Sequence, residues 1–164
     1  MKPKEEDYYS PIVRKFTELF VSKGCKTHFE ITADKKFSNK LKSKISDYRH
    51  IIFYFLKDVA PDIVGFVGKD SSTDFVIIEV KNEDIKLDHI YQTRKYAELF
   101  DAKFAFLIST EELPEEIKRL SKVVSSLLSL PAYRSLTLVQ FDEGTKSLKD
   151  WYPENPFEIE YYWR

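Results

Sequence analysis

PDIVGFVGKDSSTDFVIIEVK, residues 61–81, is the stretch on which the fold turns. Two apolar runs, 62–67 and 75–81, flank GKDSSTD (68–74), whose Gly, Asp and Ser residues are turn chemistry. The pattern predicts an antiparallel hairpin. The second run is apolar without alternation through Ile78, which implies cover on both faces, as in a central strand of an α/β sheet. Asp62, Glu79 and Lys81 break the pattern by placing charge where it predicts a core. With the turn centred near Ser71, paired positions sum to about 142, which sets Asp62 beside residue 80, level with Glu79 and Lys81. Glu79 and Lys81 are two apart and share a face.

Outward from the hairpin, the chain alternates helix and strand signals. Ser10 suits a cap, Pro11 a first helical position and Gly24 an exit, with Ile12, Phe16, Leu19 and Phe20 at helical spacing between them. KTHFEIT (26–32) alternates like a strand, and 33–50 reads as a polar, basic loop with a short helix or hairpin. Residues 51–67 are strand-like, as one bent strand or two, and Pro61 argues against an uninterrupted central strand. Downstream, 86–102 reads as a helix with Ile90, Tyr91, Ala97 and Leu99 or Phe100 inward. A strand (103–110), a helix opened by proline (113–130), a strand (135–141) and a terminal hairpin or edge strand follow. This order predicts an α/β fold, a mixed sheet flanked by helices.

The chain has 164 residues, the length of one domain, and at 43% hydrophobic it can bury a substantial core. Its single cysteine, Cys25, excludes an internal disulfide framework and suits a reducing cytoplasm. No stretch reaches the ~18 apolar residues of a membrane span, so a cytoplasmic protein is expected. Charge is unevenly spread. Residues 1–57 carry 13 basic against 7 acidic residues, and 58–164 carry 13 against 20. KKFSNKLKSK (35–44) holds Lys35, Lys36, Lys40, Lys42 and Lys44 with no acid, and Arg49 follows. Such a run either attracts a polyanion or is a solvated face.

Two carboxylates and a backbone carbonyl, that of Val80, form a partial oxygen shell for Mg2+, an ion that keeps waters and binds phosphate oxygens. Lys81 beside them can orient a water or offset charge on phosphorus. The plainer reading is a strand-end acid and an exposed Glu79–Lys81 ion pair; the apolar context and the opposed Asp62 favour the metal site.

Pro61-Asp62 and Glu79-Val80-Lys81, followed by Gln92-Thr93-Arg94-Lys95-Tyr96, resemble the PD-(D/E)xK nuclease superfamily. The last segment is similar to the Q-x-x-x-Y motif of the subgroup that includes recombination-type exonucleases and CRISPR adaptation nucleases. The resemblance covers about residues 5–110 and leaves 111–164 as a C-terminal extension. It implies a restriction-endonuclease-like core and a deoxyribonuclease using Mg2+, or Mn2+ in its place. Asp62 and Glu79 would bind metal, Lys81 would assist the attacking water, and Gln92 and Tyr96 would position the phosphate or hold Lys81. Many such enzymes carry a further acid on the first helix. Among Glu5, Glu6, Asp7, Glu18 and Glu30, the slight preference is Glu6. The resemblance also implies a homodimer, since two sites permit two-strand cleavage.

The lysine run and Arg49 would draw DNA toward the acidic site, and Phe37, Tyr48 and Tyr54 can stack on unpaired bases, although Tyr54 reads better as core. The rival readings are a catalytically silent nucleic-acid-binding or assembly module that keeps the fold, and an α/β protein whose charged strand ends do no chemistry. The aromatic C-terminus fits either a dimer interface or the core.

Overall fold

The structure, a computed structural model, describes residues 3–163. The described residues form helices α1 (Tyr9–Ser22), α2 (Asn39–Ser43), α3 (Ile52–Phe55), α4 (Leu87–Phe100) and α5 (Glu115–Val123). Their strands are β1 (Lys26–Ile31), β2 (Ile63–Gly68), β3 (Asp74–Lys81), β4 (Phe104–Ser109), β5 (Ser129–Leu130), β6 (Arg134–Asp142) and β7 (Ser147–Tyr152). All seven strands join one mixed sheet in the order β1-β2-β3-β4-β6-β5, with β7 pairing to β6. β1, β2 and β3 run antiparallel, while β3, β4 and β6 are parallel to one another. The expected α/β class with a mixed sheet is what the chain adopts.

The 61–81 stretch forms its hairpin, with Ile63 opposite Ile78. That register is one residue off expectation, because the turn centres between Asp70 and Ser71, where Asp70 takes a left-handed backbone at φ 55°. Asp62 is therefore level with Glu79 and not with Val80. On β3, Val76, Ile78 and Val80 face α1, and Phe75 and Ile77 face α4. Both faces are covered, as the unbroken apolar run required. On the first face Ile12, Phe16 and Phe20 of α1 are fully buried. On the second, Ile90, Tyr96, Ala97 and Phe100 of α4 pack with Leu41, Ile52 and Leu56.

Several local expectations fail for identifiable reasons. Residues 52–55 are helical and not strand. Ile52 and Leu56, four apart, are both buried, while Ile51, Tyr54 and Phe55 face out, so the burial period is helical. Tyr54 is accordingly at the surface and not in the core. A 3-10 turn over Glu5–Tyr8 runs directly into α1, so Ser10 and Pro11 lie inside its first turn and Ser10 is no cap. Proline is tolerated there because first-turn amides have no intrahelical acceptor. Gly24 leaves the helix with φ 82°, the left-handed exit that favours glycine. α5 stops at Val123, short of the expected 130, where two β-branched residues and two serines weaken the helix. In α4, Tyr91 points outward, and Thr93 and Tyr96 take the inward positions.

Among the described residues no helix is long and apolar enough to cross a membrane.

Candidate active site

The hairpin ladder ends at Ile63 and Ile78, and two carboxylates continue it. The Asp62 amide donates to Glu79 Oε1 at 2.7 Å. The Val80 amide donates to Asp62 Oδ2 at 2.8 Å. Each acid therefore accepts the backbone N–H of the opposite strand. Local chemistry sets Asp62 in place: Pro61 has no amide to pair, its carbonyl accepts Thr32 Oγ1 at 2.6 Å, and the Asp62 carbonyl accepts the Thr32 amide at 2.8 Å. Both acids are buried, Asp62 at 8% exposure and Glu79 at 2%. They sit at the C-terminal end of the parallel strands, the edge where open α/β sheets bind ligands.

Lys81 completes the triplet, with Nζ 3.8 Å from Glu79 Oε2. It is the nearest cation to two buried acids and does not neutralise both. Burial, then the charge of Asp62, pushes the Glu79 carboxyl up to about 8. Asp62 is also raised, chiefly by burial, against hydrogen bonds from Val80 and Tyr9 that favour its ionised form. At neutral pH the pair holds a proton that two exposed acids would have lost.

Gln92 and Tyr96 face each other across one turn of α4, with Gln92 Nε2 3.4 Å from the Tyr96 hydroxyl. Tyr96 is fully buried, and its hydroxyl is pushed up to about 12 by burial and then by the charge of Glu79. The phenol thus stays protonated beside the acid pair. Asp62, Glu79 and Lys81 are in contact, and Tyr96, paired to Gln92, lies within electrostatic reach of Glu79 and Asp62.

Two further residues join them. The Tyr9 hydroxyl donates to Asp62 Oδ1 at 2.9 Å and lies 3.4 Å from Glu5 Oε1. Burial, then the charge of Asp62, raises the Glu5 carboxyl. Glu5 is thus the N-terminal acid that reaches the site. Glu6 is exposed, which corrects the slight preference for it. Glu18 is exposed on α1 and pairs with Lys15 at 3.9 Å. Glu30 is engaged by His28 Nε2 at 2.5 Å and by the amide and hydroxyl of Ser38. Nothing local announces that Tyr9 meets an acid 53 positions away.

The basic residues separate into groups. Lys35, Lys36 and Lys42 line one concavity together with Lys57. Lys44 lies over the Phe66 ring at 5.5 Å and lines a different hollow with Lys26, at the turn end of the hairpin. Lys40 is exposed on α2. Arg49 donates to the Leu99 carbonyl at 3.0 Å, satisfying an unpaired acceptor at the end of α4.

The donor set suits a hard divalent cation. Among the described residues no three His, Cys, Asp or Glu side chains form a ready-made cage. The available donors are the Asp62–Glu79 pair, with Glu5 beside it. The Lys81 carbonyl accepts the amide of Thr110, the residue just past β4, at 3.2 Å, so backbone groups of the preceding residue point to the opposite side of the strand. Val80 already directs its amide to Asp62, and its carbonyl shares that side. Two carboxylates, one carbonyl and water match the shell Mg2+ prefers.

No family model, curated protein or solved structure matches the chain.

Proposed function

We propose that the chain is a metal-dependent nuclease that hydrolyses phosphodiester bonds, with DNA as substrate. The observation that carries this reading is the choice of two acids to end the hairpin ladder. Asparagine or glutamine would accept the same two amides without mutual repulsion. Two buried acids at 8% and 2% exposure, one pushed up to about 8, oppose folding; sites kept for chemistry commonly do this.

Asp62, Glu79 and the Val80 carbonyl would hold Mg2+ or Mn2+. The ion would supply acidification of a water and neutralisation of phosphate charge. Lys81, on the face of β3 shared with Glu79, would orient the water and offset charge on a non-bridging oxygen. Gln92, half-buried, would reach a phosphate oxygen, and the buried Tyr96 hydroxyl would fix its side chain. Tyr9 locks the Asp62 rotamer and carries the Glu5 carboxyl to the same side.

A second reading has its own support. Every Asp62 and Glu79 oxygen but one is within hydrogen-bonding distance of an amide or hydroxyl, so the pair also works as a ladder end in a silent nucleic-acid-binding module. Titration of Mg2+ and Mn2+ against labelled single-stranded and branched duplex DNA separates the two. Cleavage that requires metal and drops at least about 100-fold in Asp62→Ala, Glu79→Ala and Lys81→Ala is expected. Binding without turnover, unchanged in Glu79→Ala, would move the assignment to the silent module.

A further inference from the structure

We propose that the hollow between the 33–38 loop and α3 is a groove for single-stranded nucleic acid that feeds the Asp62–Glu79 end of the sheet. This rests on reading that end as the phosphodiester-cleaving site. The hollow measures about 310 Å3; four lysines, Lys35, Lys36, Lys42 and Lys57, line it with no acid among them. Its floor is aromatic, with Phe37 and Phe53 at 5.1 Å between ring centroids. At its rim Lys57 Nζ lies 4.2 Å from the centre of the Tyr54 ring.

The outer face of α3 beside the hollow is also apolar for a surface. Ile51, Tyr54 and Phe55 are exposed by 63%, 59% and 59%. Neighbouring apolar side chains left in water beside a hollow mark a contact surface. Cations that follow a backbone, together with free aromatic faces, are what an unpaired strand recognises: phosphates meet the lysines and bases stack on the rings. A duplex hides its bases and gains nothing from Tyr54.

Position ties the groove to the acids. The 33–38 loop leaves from Thr32, whose amide and hydroxyl bond the Asp62 and Pro61 carbonyls. Lys35 is three residues beyond Thr32, so it lies within about 11 Å of it along the chain. The opposite wall, from Phe53 to Lys57, runs on into Pro61 and Asp62. Both walls converge on the backbone that presents Asp62.

The test is fluorescence anisotropy of the full chain with labelled dT16, the same length of duplex, and an abasic 16-mer, in EDTA so that no cleavage intervenes. Single-stranded dT16 is expected to bind at least about 10-fold tighter than the duplex or the abasic strand. Its log affinity should fall with log salt at a slope of about −2.8, the value for four phosphate contacts to a single strand. The double variant Lys35→Glu/Lys57→Glu should weaken binding at least about 10-fold and flatten the slope by about half. Tyr54→Ala should weaken dT16 about 10-fold with the slope kept. All three side chains are exposed, so thermal melting should match the parent. Equal affinity for the abasic strand, or unchanged binding in both variants, overturns the groove. Absence of metal-dependent cleavage with this binding pattern intact would remove the nuclease reading and leave the strand site standing. Cleavage with binding indifferent to the variants would remove only the groove.

Discussion

Glu79 is the residue on which stability and function pull in opposite directions. Its carboxyl is pushed up to about 8 in the fold by burial and by Asp62, against about 4.3 for an exposed glutamate. Between those values the folded chain holds a proton that the unfolded chain releases. Stability is therefore greatest below about 4.3, declines as pH rises, and has lost this contribution once pH passes about 8. Glu79→Gln keeps an acceptor for the Asp62 amide and removes the titration. It should raise Tm by about 5 °C at pH 8 and flatten the melting-temperature profile between pH 5 and 8, measured by circular dichroism. An unaltered profile would show that the upward shift does not belong to Glu79. Asp62, Glu79 and Lys81 were legible from the sequence, because acids and a lysine interrupting an apolar strand are conspicuous, whereas Gln92 and Tyr96 were named only through a resemblance. Glu5 and Tyr9 were not legible, since their partner is distant in the chain.

At the scale of elements, the hairpin was readable because burial on both faces demands an unbroken apolar run, and turn residues separate its arms. Its register was one residue off, because the left-handed Asp70 moves the turn centre and no pattern rule sees that. β2 shows how pairing constrains single positions. Phe29 of β1 lies opposite Gly65, and a Cβ there would sit 2.3 Å from the Phe29 ring. Gly65→Ala should destabilise the chain by about 1–3 kcal/mol in urea unfolding, with an unchanged m-value. A neutral result would mean that β1 can shift away from β2. α3 was misread as strand because IIFYFL offers no polar residue to mark a period. Only the burial of Ile52 and Leu56 shows that the period is helical.

At the scale of the whole molecule, the sheet carries two apolar layers, and the C-terminus completes one of them. Phe157 is buried against Phe16, Phe20 and Phe106, and Trp163 stacks on Phe104 at 5.4 Å. Lys69 and Lys103 hold the segment by donating to the Trp163 and Tyr162 carbonyls. Of the two sequence readings of this aromatic end, core and dimer interface, these contacts are those of a core. Phe157→Ala should cost about 3–5 kcal/mol of unfolding free energy, measured by chemical denaturation. A loss under about 1 kcal/mol would show that the segment is a detachable cover. The lysine run also acquires meaning only here. Five lysines close in sequence are separated by the path of α2, and Lys57, from a different segment, joins three of them.

The amino-acid sequence by itself determined the α/β class, the central hairpin and the approach of Asp62, Glu79 and Lys81. Each of these follows from local periodicity, turn chemistry or short spacing, which act within a few residues. Tertiary structure alone decided that Glu5 and Tyr9 reach Asp62, that Arg49 ends α4, and that Tyr54 and Lys57 border one hollow. Those outcomes depend on how separate elements pack, and packing energy is a property of contacts between segments that no local pattern encodes.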